Sequence, residues 1–170
     1  MFRELLDRIL PGSWRIANPL WTMTKRQAVR LLEKEIGKKR ATEITSVTQS
    51  CWNLWAPQVF GVRKFDRSEK KPNEHCGVCI PCIVRRTALP EDHFAFDLRH
   101  DSVRNHPKLG AHFLEYLELV SAVRASRTTA DLRTVIPAEG LELIDDGYID
   151  LGSLENLLRE FSKEFHETFF

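Results

Sequence analysis

Residues 76–82 read Cys76-Gly77-Val78-Cys79-Ile80-Pro81-Cys82, and twenty-four residues separate this run from the one remaining cysteine, Cys51. Three cysteines packed so closely cannot easily pair with one another as disulfides, whereas four thiolates complete the tetrahedral shell that zinc prefers. Four cysteines leave no open position for water, so the metal that they hold is expected to be structural rather than catalytic. The sequence therefore predicts one zinc ion bound by Cys51, Cys76, Cys79 and Cys82.

The residues between the cysteines favour this arrangement. Gly77 can take a positive φ, which lets the chain fold Cys76 and Cys79 around one ion. Pro81 suits the first position of a helix, and it pushes Ile80 before it out of helical geometry. Cys82 is therefore expected in the first turn of a short helix, where unpaired N–H groups and the helix dipole favour a thiolate.

Two other interpretations of the cysteines stay open, a redox-active pair and a set of inert buried thiols. A disulfide from Cys51 to one cysteine of the cluster would leave two thiols over. Met1 is followed by an amphipathic, charged stretch without the long apolar run of a signal peptide. We therefore expect a cytoplasmic protein, and in a reducing compartment clustered thiols are more often metal sites than disulfides.

Composition narrows the class of protein. The chain has 170 residues, of which 42% are hydrophobic and 29% are charged, so it can bury one core. No apolar run approaches the length of a membrane span, and we expect no membrane partner. The net charge of +1 gives no overall basic character, which argues against nucleic acid as a partner.

Hydrophobic periodicity predicts a mainly α-helical fold with few short strands, all in the first half of the chain. The best-defined helix runs from Thr24 to Ile36, because Thr24 and Gln27 have capping-box spacing and Gly37 supplies a stop. Strand character is expected at residues 14–20 and 44–51. Further helices are predicted at 2–10, 81–89, 110–126, 129–135 and 153–165.

The segment between Cys51 and Cys76 changes from apolar (52–62) to highly charged (63–74), which is typical of an insertion between two zinc ligands. Its basic residues with nearby aromatics resemble a nucleic-acid patch, but interspersed acidic residues favour a solvated loop. Four histidines at 93, 100, 106 and 112 match no metal-ligand spacing, and Asp145-Asp146 beside Gly147 is more typical of a turn than of an acid–base pair.

Two blocks of residues resemble the C-terminal half of the 7-cyano-7-deazaguanine synthase (QueC) family, over about residues 18–89. The first block is Pro19-Leu20 followed by Thr24-Lys25. The second is Ser50-Cys51, then Cys76-Gly77-Val78-Cys79, Pro81-Cys82 and Arg85, which resembles the zinc module of that family.

The resemblance implies an α/β fold of the Rossmann-like, ATP-pyrophosphatase type and a bound zinc ion. It also implies an ATP-dependent ligase that activates a carboxylate on a deazaguanine and converts it, through an amide, to a nitrile. Lys25 and Arg85 match motif positions and are the expected substrate-binding residues. The alternatives are a solvated first-turn lysine and a surface arginine on a short helix.

The chain departs from the family in two ways. The long spacer between Cys51 and Cys76 is more similar to the QueC-like proteins of bacterial anti-phage gene clusters. The family's Ser-Gly-Gly-x-Asp-Ser loop for ATP is missing, because the eight glycines are never adjacent. The chain therefore resembles the C-terminal part of such a ligase, inactive alone and using ATP only if an N-terminal ATP-binding half, or another subunit of a gene cluster, supplies the site.

This resemblance divides the chain into three predicted parts: residues 1–50 as a remnant of the α/β ligase core, 51–89 as the zinc module with its insertion, and 90–170 as a helical extension. Two further hypotheses stay open. One is a non-catalytic subunit that docks onto a separate ATP-binding protein through an apolar surface near Trp14 and Trp21. The other is a zinc-ribbon-like nucleic-acid binder, which the near-neutral charge disfavours.

Overall fold

A computed structural model of the chain describes residues 20–48, 50–51, 75–136, 144 and 150–170. Within these ranges the chain is mainly helical, which confirms that part of the predicted fold class. The only pairing of extended chain there is a parallel bridge between His75 and Phe94. The elements are α1 (Lys25–Ile36), α2 (Lys38–Val47), α3 (Ile80–Ala88), α4 (Asp101–Arg104), α5 (Ala111–Ala125), α6 (Thr129–Arg133) and α7 (Leu151–Phe169).

Several predictions fall outside these ranges. The helix predicted at 2–10, all but Leu20 of the strand at 14–20, the charged segment at 63–74 and the turn at Asp145-Asp146 lie there. None of the helices in the described ranges is long and apolar enough to cross a bilayer.

Helix α1 begins as the sequence predicts. The Thr24 hydroxyl oxygen accepts from the Gln27 amide at 3.1 Å, and the Thr24 amide donates to the Gln27 side chain at 2.9 Å, which completes a capping box. Gly37 then adopts a φ of 82°, and the chain passes directly into α2. The two helices therefore form an α-helical hairpin with a single residue between them.

The strand or extended loop predicted at 44–51 is wrong for its first half, because α2 continues to Val47. Serine and threonine in α2 donate back to the helix, Thr42 to the Lys38 carbonyl at 2.9 Å and Ser46 to the Glu43 carbonyl at 2.8 Å. Packing of α2 against α1, which buries Ala41, outweighs the weak β preference of these residues. The backbone becomes extended only at Thr48.

Helix α3 lies at the centre of the described part. It begins at Ile80, one residue before the predicted start, and Pro81 lies in its first turn. Cys82 and Ile83 are fully buried, and α3 packs against α1, α5 and α7. Because these neighbours come from the first and third predicted parts of the chain, all three parts meet at α3, and the division into domains stays a prediction.

Helices α5 and α7 close the core through aromatic contacts. The ring of Phe113 stacks on that of Phe165 at 5.4 Å and meets the edge of Phe169 at 5.1 Å. The predicted helix at 110–126 is confirmed with Gly110 and Ser126 as its caps, and the helix predicted at 153–165 extends at both ends. A smaller cluster of Val123, Leu132 and Ile136 fixes α6 beside α7.

Candidate metal centre

The four cysteine sulfurs lie within 4.8 Å of one another, and all four residues are buried free thiols. The sulfurs of Cys76 and Cys82 are 3.8 Å apart, and those of Cys51 and Cys79 are 4.0 Å apart. A tetrahedron with Zn–S bonds of about 2.3 Å has sulfur–sulfur edges of about 3.8 Å. The group is therefore a tetra-cysteine site with dimensions that fit one metal ion.

The turn at Gly77 brings Cys76 and Cys79 to the same side of the chain. Gly77 has a φ of 84°, as its place between the cysteines predicts, and a methyl group there would collide with the carbonyl oxygen of Phe96. The Cys79 amide lies 3.4 Å from the Cys76 sulfur and donates to it. Only glycine meets both requirements at this position.

A short parallel pairing supports this turn from outside. The amide of His75 donates to the His93 carbonyl at 3.1 Å, and the His75 carbonyl accepts from Ala95 at 2.8 Å. The amide of Phe96 then donates to the Cys76 carbonyl at 3.1 Å. Residues 93–96 thus hold the backbone of the first cysteine of the cluster in an extended form.

The start of α3 places the last two sulfurs. Cys79 is the N-cap, and its carbonyl accepts from the amides of Cys82 at 2.9 Å and Ile83 at 3.0 Å. Cys82 lies in the first turn, as predicted. The partial positive charge of a helix N-terminus favours thiolates at both positions.

The sulfurs compete for protons. Contacts with Cys51, Cys79 and Cys82 lower the pKa of Cys76, and contacts with Cys51, Cys76 and Cys79 raise the pKa of Cys82. Contacts with Cys51 and Cys76 raise the pKa of Cys79. The contact with Cys76 raises the pKa of Cys51. The contacts with Cys79 and Cys82 lower this pKa and outweigh the effect of Cys76, so that the pKa of Cys51 falls to about 6. Four thiolates at this spacing need a cation among them, and an all-sulfur tetrahedral set suits zinc or iron.

Arg85 is buried beside the centre, one turn after Cys82, and only 1% of it is exposed. Its Nε donates to the Asp92 carboxylate at 2.5 Å, Nη1 to the Thr48 hydroxyl at 2.9 Å, and Nη2 to the Thr45 carbonyl at 2.6 Å. All three guanidinium nitrogens therefore have partners within the protein.

Arg86 and His75 also flank the centre. Arg86 donates to the Phe96 carbonyl at 2.9 Å and to Asp97 at 3.2 Å, and its guanidinium lies 3.9 Å from the ring centre of Phe94. His75 is buried with its Nε2 3.9 Å from Asp92, and neither ring nitrogen has a hydrogen-bond partner among the described residues. Burial lowers the pKa of His75, and Arg85 lowers it further.

Lys25, at the start of α1, lies in the same electrostatic neighbourhood. Burial lowers the pKa of Lys25, Arg85 lowers it further, and Cys82 and Asp92 oppose these effects. Lys25 and Arg85, which belong to different motif blocks, thus lie on two helices that pack together and within electrostatic range of each other. Their role in binding a substrate stays a prediction.

The four histidines do not form a second centre. His106 accepts from the amides of Lys108 and Leu109, and His112 pairs with Glu115 at 3.1 Å. Over the described ranges, the four cysteines are the one group of three or more ligating side chains that can hold a metal ion.

A cleft of about 640 Å³ opens between α1, α2 and the turn after α3. Asp92 and Thr45, two partners of Arg85, form part of its wall. Charges of both signs line the rest, among them Arg30, Lys38 and Glu33. No motif in the sequence marks Asp92, Thr45 or Thr48 as functional residues, because each is an ordinary polar residue.

Fold and site define a mainly helical protein with a buried tetra-cysteine group that can bind a metal ion. Comparisons of the chain with protein-family models, with curated proteins and with solved structures gave no match.

Proposed function

We propose that Cys51, Cys76, Cys79 and Cys82 bind one zinc ion, and that the chain is the zinc-binding C-terminal portion of a QueC-like ATP-dependent ligase. The observation that carries the first statement is the mutual distance of the four buried sulfurs. The second statement rests on the two motif blocks. Its structural support is that Lys25 and Arg85, one from each block, lie on the packed helices α1 and α3, and that Arg85 follows Cys82 by one turn.

The zinc ion is structural in this account. Bound zinc supplies folding free energy and neutralises thiolates that would otherwise repel one another. The chain's own residues hold the site together, since the Gly77 turn, the 93–96 pairing and the first turn of α3 each fix one or two sulfurs. A four-thiolate zinc unit carries a formal charge of −2, which Lys25 and Arg85 offset.

Lys25 is the residue that we assign to substrate. Among the described residues, no hydrogen bond or ion pair involves the Lys25 amine, whereas each of the three guanidinium nitrogens of Arg85 donates a hydrogen bond. A half-buried ammonium without a partner attracts a carboxylate, which is the group that the proposed ligase activates. The chain lacks a phosphate-binding loop, so it is expected to form no AMP by itself.

Calorimetric titration of the zinc-loaded chain with a 7-carboxylated deazaguanine tests the ligase proposal. Saturable binding is expected for the wild type and for Lys34→Gln, which changes an exposed lysine on the same helix, and loss of binding for Lys25→Gln. Absence of binding to the wild type would contradict the proposal. So would AMP released from ATP by the purified chain alone.

A second candidate function is a non-catalytic subunit that docks onto an ATP-binding protein. The supporting observation is exposed apolar surface before α1 and at the end of α2, where Trp21 is 41% and Val47 68% exposed. Binding of a hydrophobic dye and self-association in size-exclusion chromatography are expected. A monodisperse monomer that binds no dye would rule this candidate out.

A further inference from the structure

Arg85 links the two sides of the cysteine group. It lies on α3, one turn after the ligand Cys82, so the two side chains are on the same face of that helix. From there its guanidinium reaches the Thr45 carbonyl in the last turn of α2 and the Thr48 hydroxyl just after that turn. Thr48 is three residues before Cys51, the ligand that is distant in sequence.

Cys51 needs such a link more than the other cysteines do. Cys76, Cys79 and Cys82 lie within seven residues, and the turn and the helix start fix them relative to one another. Cys51 arrives from α2, and the polar contacts of its sulfur are with Cys76 and Cys79 of the group itself. Its position therefore depends on how the end of α2 is held against α3.

We infer that Arg85 is a positioning residue that sets the end of α2, and with it the sulfur of Cys51, at the distance from Cys82 that the metal requires. The inference rests on the proposed metal binding by the four cysteines. Arg85 caps α2, because a cation at a helix C-terminus stabilises the unpaired carbonyls there. It also connects the end of α2 to α3, on which Arg85 itself lies. Asp92 accepts from Nε and fixes the orientation of the guanidinium plane.

A lysine cannot replace this arrangement. Asp92, Thr48 and Thr45 each take one of the three guanidinium nitrogens, which lie in a rigid planar fork. An ammonium is a single point with rotatable donors, so it keeps the charge but loses the fixed geometry. Arg85→Lys therefore separates the positioning role from simple charge compensation of the thiolates.

The test is zinc affinity by competition with a chelator, measured for wild type, Arg85→Lys and the control Arg26→Lys. Arg26 is a matched control because its guanidinium also makes several polar contacts, with Thr87, Glu164, Glu167 and Thr168, but none of them leads to Cys51. Loss of an outer residue that orients a metal ligand typically weakens binding by about 10- to 100-fold. This loss is expected for Arg85→Lys and not for Arg26→Lys.

Reactivity of single thiols supplies the measurement that a general loss of stability would not change. In the zinc-loaded Arg85→Lys protein, alkylation followed by peptide mass spectrometry is expected to modify Cys51 before Cys76, Cys79 and Cys82. In the wild type and in Arg26→Lys, all four thiols are expected to be protected equally.

A second pair of variants covers the case in which Arg85→Lys does not fold. Thr48→Val removes one acceptor of Arg85 at an exposed position just after α2, and Thr42→Val removes a hydroxyl of α2 that contacts only the Lys38 carbonyl. Thr48→Val is expected to weaken zinc binding several-fold and Thr42→Val to leave it unchanged. A wild type that binds no metal overturns both proposals. A wild type that binds zinc, with Arg85→Lys matching Arg26→Lys and Thr48→Val matching Thr42→Val, overturns this inference alone.

Discussion

The backbone amide of Cys76 lies 3.5 Å from the sulfur of Cys51, so the turn that carries one ligand donates to a ligand 25 positions earlier in the chain. This contact forms only when Cys51, four residues after the end of α2, lies beside the turn that precedes α3. Metal binding and the placement of Cys51 against this turn are therefore coupled, and each is expected to stabilise the other.

Replacement of Gly77 by alanine is expected to destabilise the zinc-loaded protein by more than backbone strain alone. A non-glycine residue at such a φ costs about 1–3 kcal/mol. The added methyl group would also collide with the Phe96 carbonyl and approach Cβ of Phe94 to 3.1 Å. Chemical unfolding of the zinc-loaded protein measures the loss.

Gly37→Ala is the matched control for this variant. Gly37 has almost the same φ, 82°, but no atom lies within 4 Å of the position that a Cβ would occupy. Its substitution is expected to cost only the strain, about 1–3 kcal/mol. Equal losses of unfolding free energy for the two variants would show that the collision with the Phe96 carbonyl adds nothing to the cost of replacing Gly77.

Phe165→Ala is expected to lower the free energy of unfolding by about 3–5 kcal/mol, which is typical of a buried phenylalanine. Phe165 is fully buried and packs against Phe113, Phe161 and Phe169. Leu114→Ala, at a residue of α5 that is 46% exposed, is expected to change stability by about 0.5 kcal/mol or less. Urea unfolding of both variants decides whether the aromatic cluster is the core.

Glu164→Gln is expected to change how stability depends on pH. Glu164 accepts from the Thr24 hydroxyl at 2.7 Å with one oxygen, while the other is buried without a partner among the described residues. Burial raises the pKa of Glu164, and the contact with Thr24 opposes this only in part. The unfolded chain therefore loses this proton at lower pH than the folded protein does.

The sign of the effect follows from this shift. The contribution of Glu164 to stability is complete below the pKa of an unfolded glutamate, about 4.3, and is lost as pH rises through the higher folded pKa. The stability of wild type relative to Glu164→Gln is therefore expected to increase on acidification. The unfolding free energies of both proteins, measured from neutral pH down to the pKa of an unfolded glutamate, test this expected increase. Any effect of acid on the metal site is common to both proteins and cancels in the comparison. A constant difference would contradict the expected shift.

The predictions that succeeded from sequence concern short-range patterns. The capping box of Thr24 and Gln27, the positive φ of Gly77 and the place of Cys82 in a first turn each depend on residues one to three positions apart. The convergence of the four cysteines could be predicted because clustered thiols at this spacing are seldom anything other than metal ligands.

What the sequence did not show depends on tertiary contacts. The extended form expected at 44–51 reflected local β preference, which packing of α2 against α1 outweighs up to Val47. The partners of Arg85 are 7, 37 and 40 positions away, so no local pattern marks them. The link between Thr24 and Glu164, 140 positions apart, is hidden for the same reason.

Metal content per chain, by elemental analysis of the purified protein with thiol titration before and after chelation, tests the central claim most directly. One zinc ion per chain is expected, with four thiols protected before chelation and four reactive after it. A chain without metal and with four reactive thiols, or one that holds iron in place of zinc, would contradict the zinc site on which the account depends.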